Sequence, residues 1–228
     1  GLNSKGVIAI SSPNQEITDS DRARVEEAAT IVQLPPNKDI IQVFAKNYRI
    51  DSQDNIKNPV GMHGVRLEVD THIVLASTPA LKSIDQVVEK AQVHINHRTV
   101  AGLAAAEAVL DRKQKESGSV VIDIGASTTN LVVIEEGEIE HVAVIPIGGV
   151  NFTNDLAIGL KTDLDIAEQV KIKFASLEIE TEQAAVLTKS GQEYFFDRSL
   201  MRVIVSARME ELLELVDKEL KKIHKSRR

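Results

Sequence analysis

The chain has 228 residues, enough for one or two domains with a real core. It contains no cysteine, which excludes a disulfide scaffold, a thiolate metal centre and a cysteine nucleophile. A net charge of −7 and 3% aromatic residues argue against a nucleic-acid groove, which needs a basic face and stacking rings, so no nucleic-acid partner is expected. No apolar run approaches the ~20 residues of a bilayer-spanning helix. Residues 1–5 carry neither an initiator methionine nor a signal-peptide pattern, so the sequence reads as a piece of a longer protein.

Residues 5–11, KGVIAIS, are β-branched and nearly all apolar and predict a short strand. Thr18, with Asp21 three residues on, predicts a helix start. Val25, Ala28, Ala29 and Val32 follow at helical spacing, and Pro35-Pro36 ends that helix. Residues 40–50 predict a strand, 59–64 a glycine-punctuated turn and 65–75 another strand. In the last, Val65, Leu67 and Val69 alternate with Arg66, Glu68 and Asp70, the pattern of a strand with one buried face. Residues 1–76 therefore predict a small α+β unit.

Thr78-Pro79 opens a second helix with Leu81, Ile84, Val87, Val88 and Ala91 on one face. Residues 98–110 predict an alanine-rich, closely packed helix, and 113–118 a loop. Residues 119–125 form a continuous apolar strand; 131–134 and 139–147 follow as two more. The short connections predict a meander of hairpins rather than a crossover. Gly148-Gly149 precedes a helix from Val150. Thr162 or Asp163 caps the next helix, which includes 167–173. Residues 177–196 predict strands and loops. Ser199 starts the last helix, with Leu200, Val203, Ile204, Ala207, Leu213, Val216 and Leu220 inward.

The turn D-I-G-A-S-T-T at 123–129 lies between two apolar strands. Successive N–H groups in such a turn can converge on an anion, with Ser127, Thr128 and Thr129 adding hydroxyls. Gly125 takes a Cβ out of the path of a phosphate. Asp123, at the strand end, suits a Mg²⁺ ion held through water. The same residues suit a plain hairpin turn. Gly148-Gly149 suits an anion at a helix N-terminus or, equally, a loop that needs positive φ. Glu168 and Lys171, three apart, read as an ordinary surface ion pair. His94 and His97 lack the carboxylates of a metal site. No nucleophile elbow or Walker lysine loop occurs, and no catalytic residue is assigned.

Taken together, VVIDIGASTTNLVVI, IPIGGVNFTNDLA and AEQVKIKF resemble, in order and spacing, the actin/Hsp70-superfamily ATPases. Upstream, DNIKNPVGMHGVRLEVDTHIV closely resembles the segment that closes the small extra subdomain of the FtsA cell-division family. DRARVEEAATIVQLPPNKDIIQVFAKNYRID fits the same subdomain, and SARMEELLELVDKEL resembles the long helix of the family's upper subdomain.

This resemblance implies an α/β fold of the actin-like (ribonuclease H-like) class, present in part. An SHS2-like subdomain would occupy 1–76, a helical return of the first lobe 77–117 and the second lobe 118–228. It implies a cytoplasmic protein at the inner face of the cell membrane, at the division site. Such a protein binds ATP with Mg²⁺, polymerises and recruits FtsZ. Asp123, Gly125, Ser127, Thr128 and Thr129 match the family's second phosphate loop, with Asp123 on Mg²⁺. Glu168 and Lys171 match a Glu-x-x-Lys pair that lies against adenosine. Gly148 and Gly149 fall where the chain enters the upper subdomain, and 101–110 resembles the connecting helix. Arg208 falls on the docking surface for the FtsZ tail. Other divisome proteins are expected at the small subdomain, and the membrane through a C-terminal amphipathic helix that is missing from this sequence.

The family's usual turn reads D-I-G-G-G-T-T-D, where this chain has Ala126, Ser127 and Asn130. Two Cβ atoms narrow the approach of a phosphate and Asn130 removes a carboxylate, so rapid hydrolysis is not expected. The same departure resembles PilM, the FtsA relative of type IV pilus machines. A PilM-like pilus adaptor is therefore the alternative reading, and a sugar-kinase or Hsp70-type ATPase the remoter one. The first phosphate loop and the adenosine loop are not found. Catalysis by positioning needs both walls of a cleft, so the chain alone is expected not to hydrolyse ATP. Apolar surface left open in such a piece predicts self-association.

Overall fold

Helix α1 (Asp19–Ala29) starts where its sequence asks it to. Thr18 and Asp21 form a reciprocal capping box: the Thr18 hydroxyl accepts from Asp21 N–H, and the Asp21 carboxylate accepts from Thr18 N–H at 3.0 Å. Such a cap is worth about 1 kcal/mol. The Thr18 hydroxyl first, donating to the Asp21 carboxylate at 2.7 Å, then the Thr18 N–H and Arg24, hold the Asp21 carboxyl below the usual carboxylate range. The helix ends earlier than expected. Thr30 turns both its N–H and its hydroxyl onto Glu27 O, tightening the last turn, so Val32 lies outside the helix.

The computed structural model describes residues 1–178, 184–189 and 191–226. It divides into two units, Gly1–Val121 with Val132–Val142, and Ile122–Leu131 with Ala143–Arg228.

The first unit is built on a four-stranded antiparallel sheet of order β1-β4-β2-β3. The strands are β1 (Leu2–Ala9), β2 (Lys38–Ile50), β3 (Gln53–Ile56) and β4 (Arg66–Ser77). β1 starts at Leu2, opposite Ile73, three residues before the expected start. α1 lies directly on β1. A Cβ at Gly6 would overlap the carbonyl oxygen of Val25 and sit 2.9 Å from Ala29 N, so only glycine lets helix and strand meet. Ile17, Val25, Leu67, Val69 and Ile50 close that side of the sheet.

β3 is absent from the sequence reading because its residues are polar. It forms because Asp51 adopts φ +52° and turns the chain back, pairing Ile50 with Gln53. β4 departs from the one-faced pattern. As an inner strand it is buried on both faces, and Glu68 is only 5% exposed. Lys5, Arg49 and Arg66 converge on its carboxylate and hold its pKa below the usual range, with Lys5 the largest cause. Val65, expected inward, is exposed because β4 begins one residue later.

Against the other side of this sheet, Val74 packs with Ala106, Val132, Ile134 and Val142. His72 lies beside them, fully buried. Its Nδ1 lies 2.8 Å from Asn3 Oδ1, and its Nε2 lies 3.2 Å from Val142 N and 3.3 Å from Val142 O. His141 stands edge-on with ring centroids 5.0 Å apart. Burial first, then the His141 ring, push the His72 pKa down to about 4.

Helix α2 (Thr78–Lys90) forms with Pro79 in its first turn, but it buries none of its residues. On its apolar face Leu81 and Val88 are half-buried, whereas Ile84 and Val87 are 59% and 67% exposed. The periodicity identifies an amphipathic helix whose stripe is only partly covered among the described residues. Helix α3 (Ala101–Val109) buries Gly102 and Ala106. The expected loop at 113–118 contains helix α4 (Arg112–Ser117), because Asp111 and Gln114 form a second capping box with bonds of 2.8 and 2.9 Å. Gly118 at φ +90° ends it.

Strands β5 (Ser119–Ile124), β6 (Thr129–Glu135) and β7 (Glu138–Ile145) form a sheet in chain order, as a meander requires. β5 is an edge strand, and Val120, Ile122 and Ile124 are exposed, so its continuous apolar run does not mark two buried faces.

The second unit holds α5 (Gly149–Leu160), α6 (Leu164–Phe174), the hairpin β8 (Ala184–Lys189) with β9 (Gln192–Asp197), and α7 (Arg198–Ser226). The expected strands at 177–196 are met by this hairpin; residues 179–183 and 190 lie outside the described residues. Phe152, Leu156, Ile166, Val170, Leu187 and Met201 form the core. α7 turns inward only part of the stripe its periodicity suggests: Val216 is buried and Ile204 packs on the core, as expected. Met201, Val205, Leu212 and Val216 are buried, whereas Leu200, Val203 and Leu213 are exposed. Ile204, one of the residues expected inward, fits into the space over Gly159 of α5. Among the described residues no helix is long and apolar enough to cross a membrane.

Candidate functional site

The turn between β5 and β6 is closed by Gly125 N–H donating to Thr128 O at 2.9 Å. It is then pinned against the start of α5. Gly149 N–H donates to Gly125 O at 2.9 Å and Val150 N–H to Ala126 O at 2.8 Å. A Cβ at Gly148 would stand 2.6 Å from both of those carbonyl oxygens. Gly148 has φ −153°, which any residue adopts, so close approach, and not positive φ, demands glycine there. Its own N–H donates to Asn151 Oδ1 at 2.9 Å. The first amides of α5 are thus used inside the protein. Gly148 and Gly149 act by holding the turn and do not present a free helix N-terminus.

What the latch leaves open is the turn itself. Among the described residues the N–H groups of Ala126, Ser127 and Thr128 and the hydroxyls of Ser127 and Thr128 have no protein partner, and Ala126 and Ser127 are exposed. Thr129 differs from its neighbours. It is fully buried, and its hydroxyl donates to Ile147 O at 2.8 Å. It is therefore a fastener of β6 and not a donor to a ligand, which corrects its place in the candidate set. Asn130 Nδ2 donates to Asp123 Oδ2 at 3.0 Å, leaving the other carboxylate oxygen of Asp123 open.

The pair on α6 is more than a solvated ion pair. Lys171 Nζ donates to Glu168 Oε2 at 2.6 Å, to Thr153 Oγ1 at 2.9 Å and to Gly149 O at 3.1 Å. An ammonium has three protons, so all of them are used. Thr153 Oγ1 also bonds Glu168 Oε2. Lys171 first, then Thr153, hold the Glu168 carboxyl below the usual range. Among the described residues its Oε1 has no partner, and the side chain is 44% exposed. Gly149 ties the two parts together: its N–H holds the turn and its carbonyl receives Lys171.

Arg208, on α7, forks onto Asp155 of α5 through bonds of 2.6 and 2.9 Å, and also pairs with Glu211. Asp155 is the leading cause that raises its pKa further. The guanidinium is a strut between two helices of its own unit.

A family model described as the SHS2 domain inserted in FTSA matches residues 1–75, and one described as Cell division protein FtsA matches residues 120–226. The chain belongs to the FtsA family. Cell division protein FtsA of Pseudomonas aeruginosa is 34% identical over 226 residues, covering 97% of this chain and 54% of that protein. FtsA of Bacillus subtilis is 37% identical over 221 residues, covering 95% and 50%. The chain spans about half the length of the curated relatives it matches. Among solved structures, the PilM-PilN type IV pilus biogenesis complex aligns with TM-score 0.57 at 18% identity, covering 98% of this chain and 55% of that one. MreB5 of Spiroplasma citri bound to ADP aligns with TM-score 0.53 at 21% identity, covering 64% and 48%. These likenesses show the fold, which is actin-like α/β with an SHS2 domain.

In this FtsA-family chain the turn, the α5 start and the α6 pair share one unit. Gly125, Gly149, Glu168 and Lys171 are linked by hydrogen bonds through Gly149, with Gly148 packed on the same turn and Asp123, Ser127 and Thr128 in or beside it, while Arg208 pairs with Asp155 midway along α5. The donor set suits a polyphosphate with a hydrated cation: three open amides, two hydroxyls and one open carboxylate oxygen. The sequence reading missed Thr153. Its only local sign is its place four residues after Gly149, whose carbonyl the hydroxyl reaches at 3.1 Å.

Proposed function

We propose that this chain works in a cell-division actin homologue that binds ATP with Mg²⁺, assembles into filaments and recruits FtsZ at the inner face of the cell membrane. The observation that carries this reading is the turn at 125–128, whose carbonyls are latched to α5 while its outward amides stay open. Ser127 and Thr128 and the turn amides bind phosphate oxygens. Asp123 holds the hydrated Mg²⁺ that offsets phosphate charge. Glu168 and Lys171 lie at the nucleoside end. With Ala126 and Asn130 in the turn, hydrolysis is slow, and nucleotide acts mainly on assembly.

The family membership supports the division-site role. In this reading FtsZ docks through its C-terminal tail on the unit that carries α7, and other divisome proteins meet the SHS2 domain. Membrane residence is peripheral, through an amphipathic helix.

Titration calorimetry with Mg-ATP on this chain and on Gly148→Val tests the nucleotide reading. Saturable binding lost in the variant is expected. No binding to a folded wild-type chain overturns it. Titration with an FtsZ C-terminal tail peptide, against the N-terminal segment of a PilN-type protein, tests the partner: the FtsZ peptide binds and the pilus peptide does not. The reverse outcome makes the chain a pilus adaptor.

A further inference from the structure

The Glu168–Lys171 pair stands on a residue outside its sequence motif. Thr153 is 6% exposed and lies between α5 and α6. Its oxygen accepts one Lys171 proton at 2.9 Å, and its single proton goes to Glu168 Oε2 or to Gly149 O. Lys171 spends its other two protons on Glu168 and Gly149. The lysine thus has no donor left for a ligand. Among the described residues Glu168 has both of its bonds on Oε2 and leaves Oε1 a bare acceptor on a side chain that is 44% exposed. A carboxylate oxygen of that kind recognises a hydroxyl donor.

We propose that Thr153 is the positioning residue of this site, aiming Glu168 Oε1 at the sugar hydroxyls of a bound nucleoside phosphate. The proposal rests on the nucleotide reading above. Without the hydroxyl, Lys171 has one unpaired proton and Glu168 one bond fewer. The pair is then free to rotate, and Oε1 loses its fixed direction. The phosphate turn is untouched, because its latch runs through the Gly149 N–H and not through Thr153.

The experiment measures binding of Mg-ATP, Mg-2′,3′-dideoxy-ATP and Mg-tripolyphosphate to the wild-type chain, Thr153→Val and Thr153→Ser. Thr153→Val keeps the shape and removes the hydroxyl; Thr153→Ser keeps the hydroxyl. Thr153→Val is expected to weaken ATP roughly five- to tenfold, the scale of one ordinary hydrogen bond. Tripolyphosphate affinity stays unchanged, discrimination against the dideoxy nucleotide shrinks, and Thr153→Ser restores both. A merely structural threonine would lower all three ligands together. That outcome overturns the proposal, as does Thr153→Val binding ATP like the wild type. A wild-type chain that binds neither ATP nor tripolyphosphate overturns the nucleotide reading, and this inference with it.

Discussion

Asn130 and Asp123 are joined across the mouth of the β5–β6 turn, Asn130 Nδ2 donating to Asp123 Oδ2 at 3.0 Å. An amide here orients the carboxylate without competing for charge. Asn130→Asp would put two carboxylates in contact, and like charges at that range raise the second ionisation. A carboxyl whose folded pKa is raised favours the folded state at low pH and costs stability once both groups ionise. The variant should therefore melt below the wild type at about pH 7 and match it near about pH 3, below the ordinary carboxylate range. Added Mg²⁺ should narrow the gap at the higher pH. Thermal melts at both pH values, with and without the cation, decide it.

Gly6 lets α1 rest directly on β1. Gly6→Ala adds a Cβ against backbone atoms of Val25 and Ala29, which cannot swing aside as a side chain would. A loss of about 1–3 kcal/mol is expected, the range of overpacked sites. Urea unfolding measures it; an unchanged midpoint would mean that α1 shifts outward at no cost.

His72 is neutral in the folded chain, with a pKa of about 4 against 6.5 in an unfolded chain. Between those values the unfolded state binds more protons, so stability rises with pH across the window. It is lost as pH falls from about 6.5 toward 4, by an amount on the order of 3 kcal/mol for one such group. His72→Gln keeps polar atoms at the site and removes the titration. Its unfolding midpoint should be flatter between about pH 4 and 6.5 than that of the wild type.

Arg208→Ala frees Asp155 on α5 and should cost about 1–2 kcal/mol, as a partly buried, two-bonded ion pair does. Arg208→Lys should recover only part, since an ammonium lacks the planar fork. Chemical denaturation checks both. If Arg208 also meets the FtsZ tail, Arg208→Lys will weaken peptide binding by more than its stability loss explains.

Much of the site was legible in the residues, for local reasons. The Thr18–Asp21 box, the short connections of the β5-β6-β7 meander and the glycine-and-hydroxyl turn at 123–129 are near-neighbour patterns, and near-neighbour energies produce them. β3 escaped because its polar residues pair only after Asp51 turns the chain. Helix α4 escaped because the Asp111–Gln114 box sits in a stretch that otherwise looks like loop.

By itself, the sequence determined most of the elements, their order, the family and most of the residues that cluster at the turn. Only the tertiary structure decided which apolar stripes are covered, so α2 keeps Ile84 and Val87 in solvent and α7 turns Met201 and Val205 inward. It also decided where lone pairs and protons go: Thr129 to Ile147, Arg208 to Asp155, Lys171 to Thr153 and Gly149. The physical reason is range. Helix and turn signals depend on residues a few positions apart, whereas burial and hydrogen-bond partners depend on groups as far apart as Asp155 and Arg208, which meet only when α5 and α7 pack.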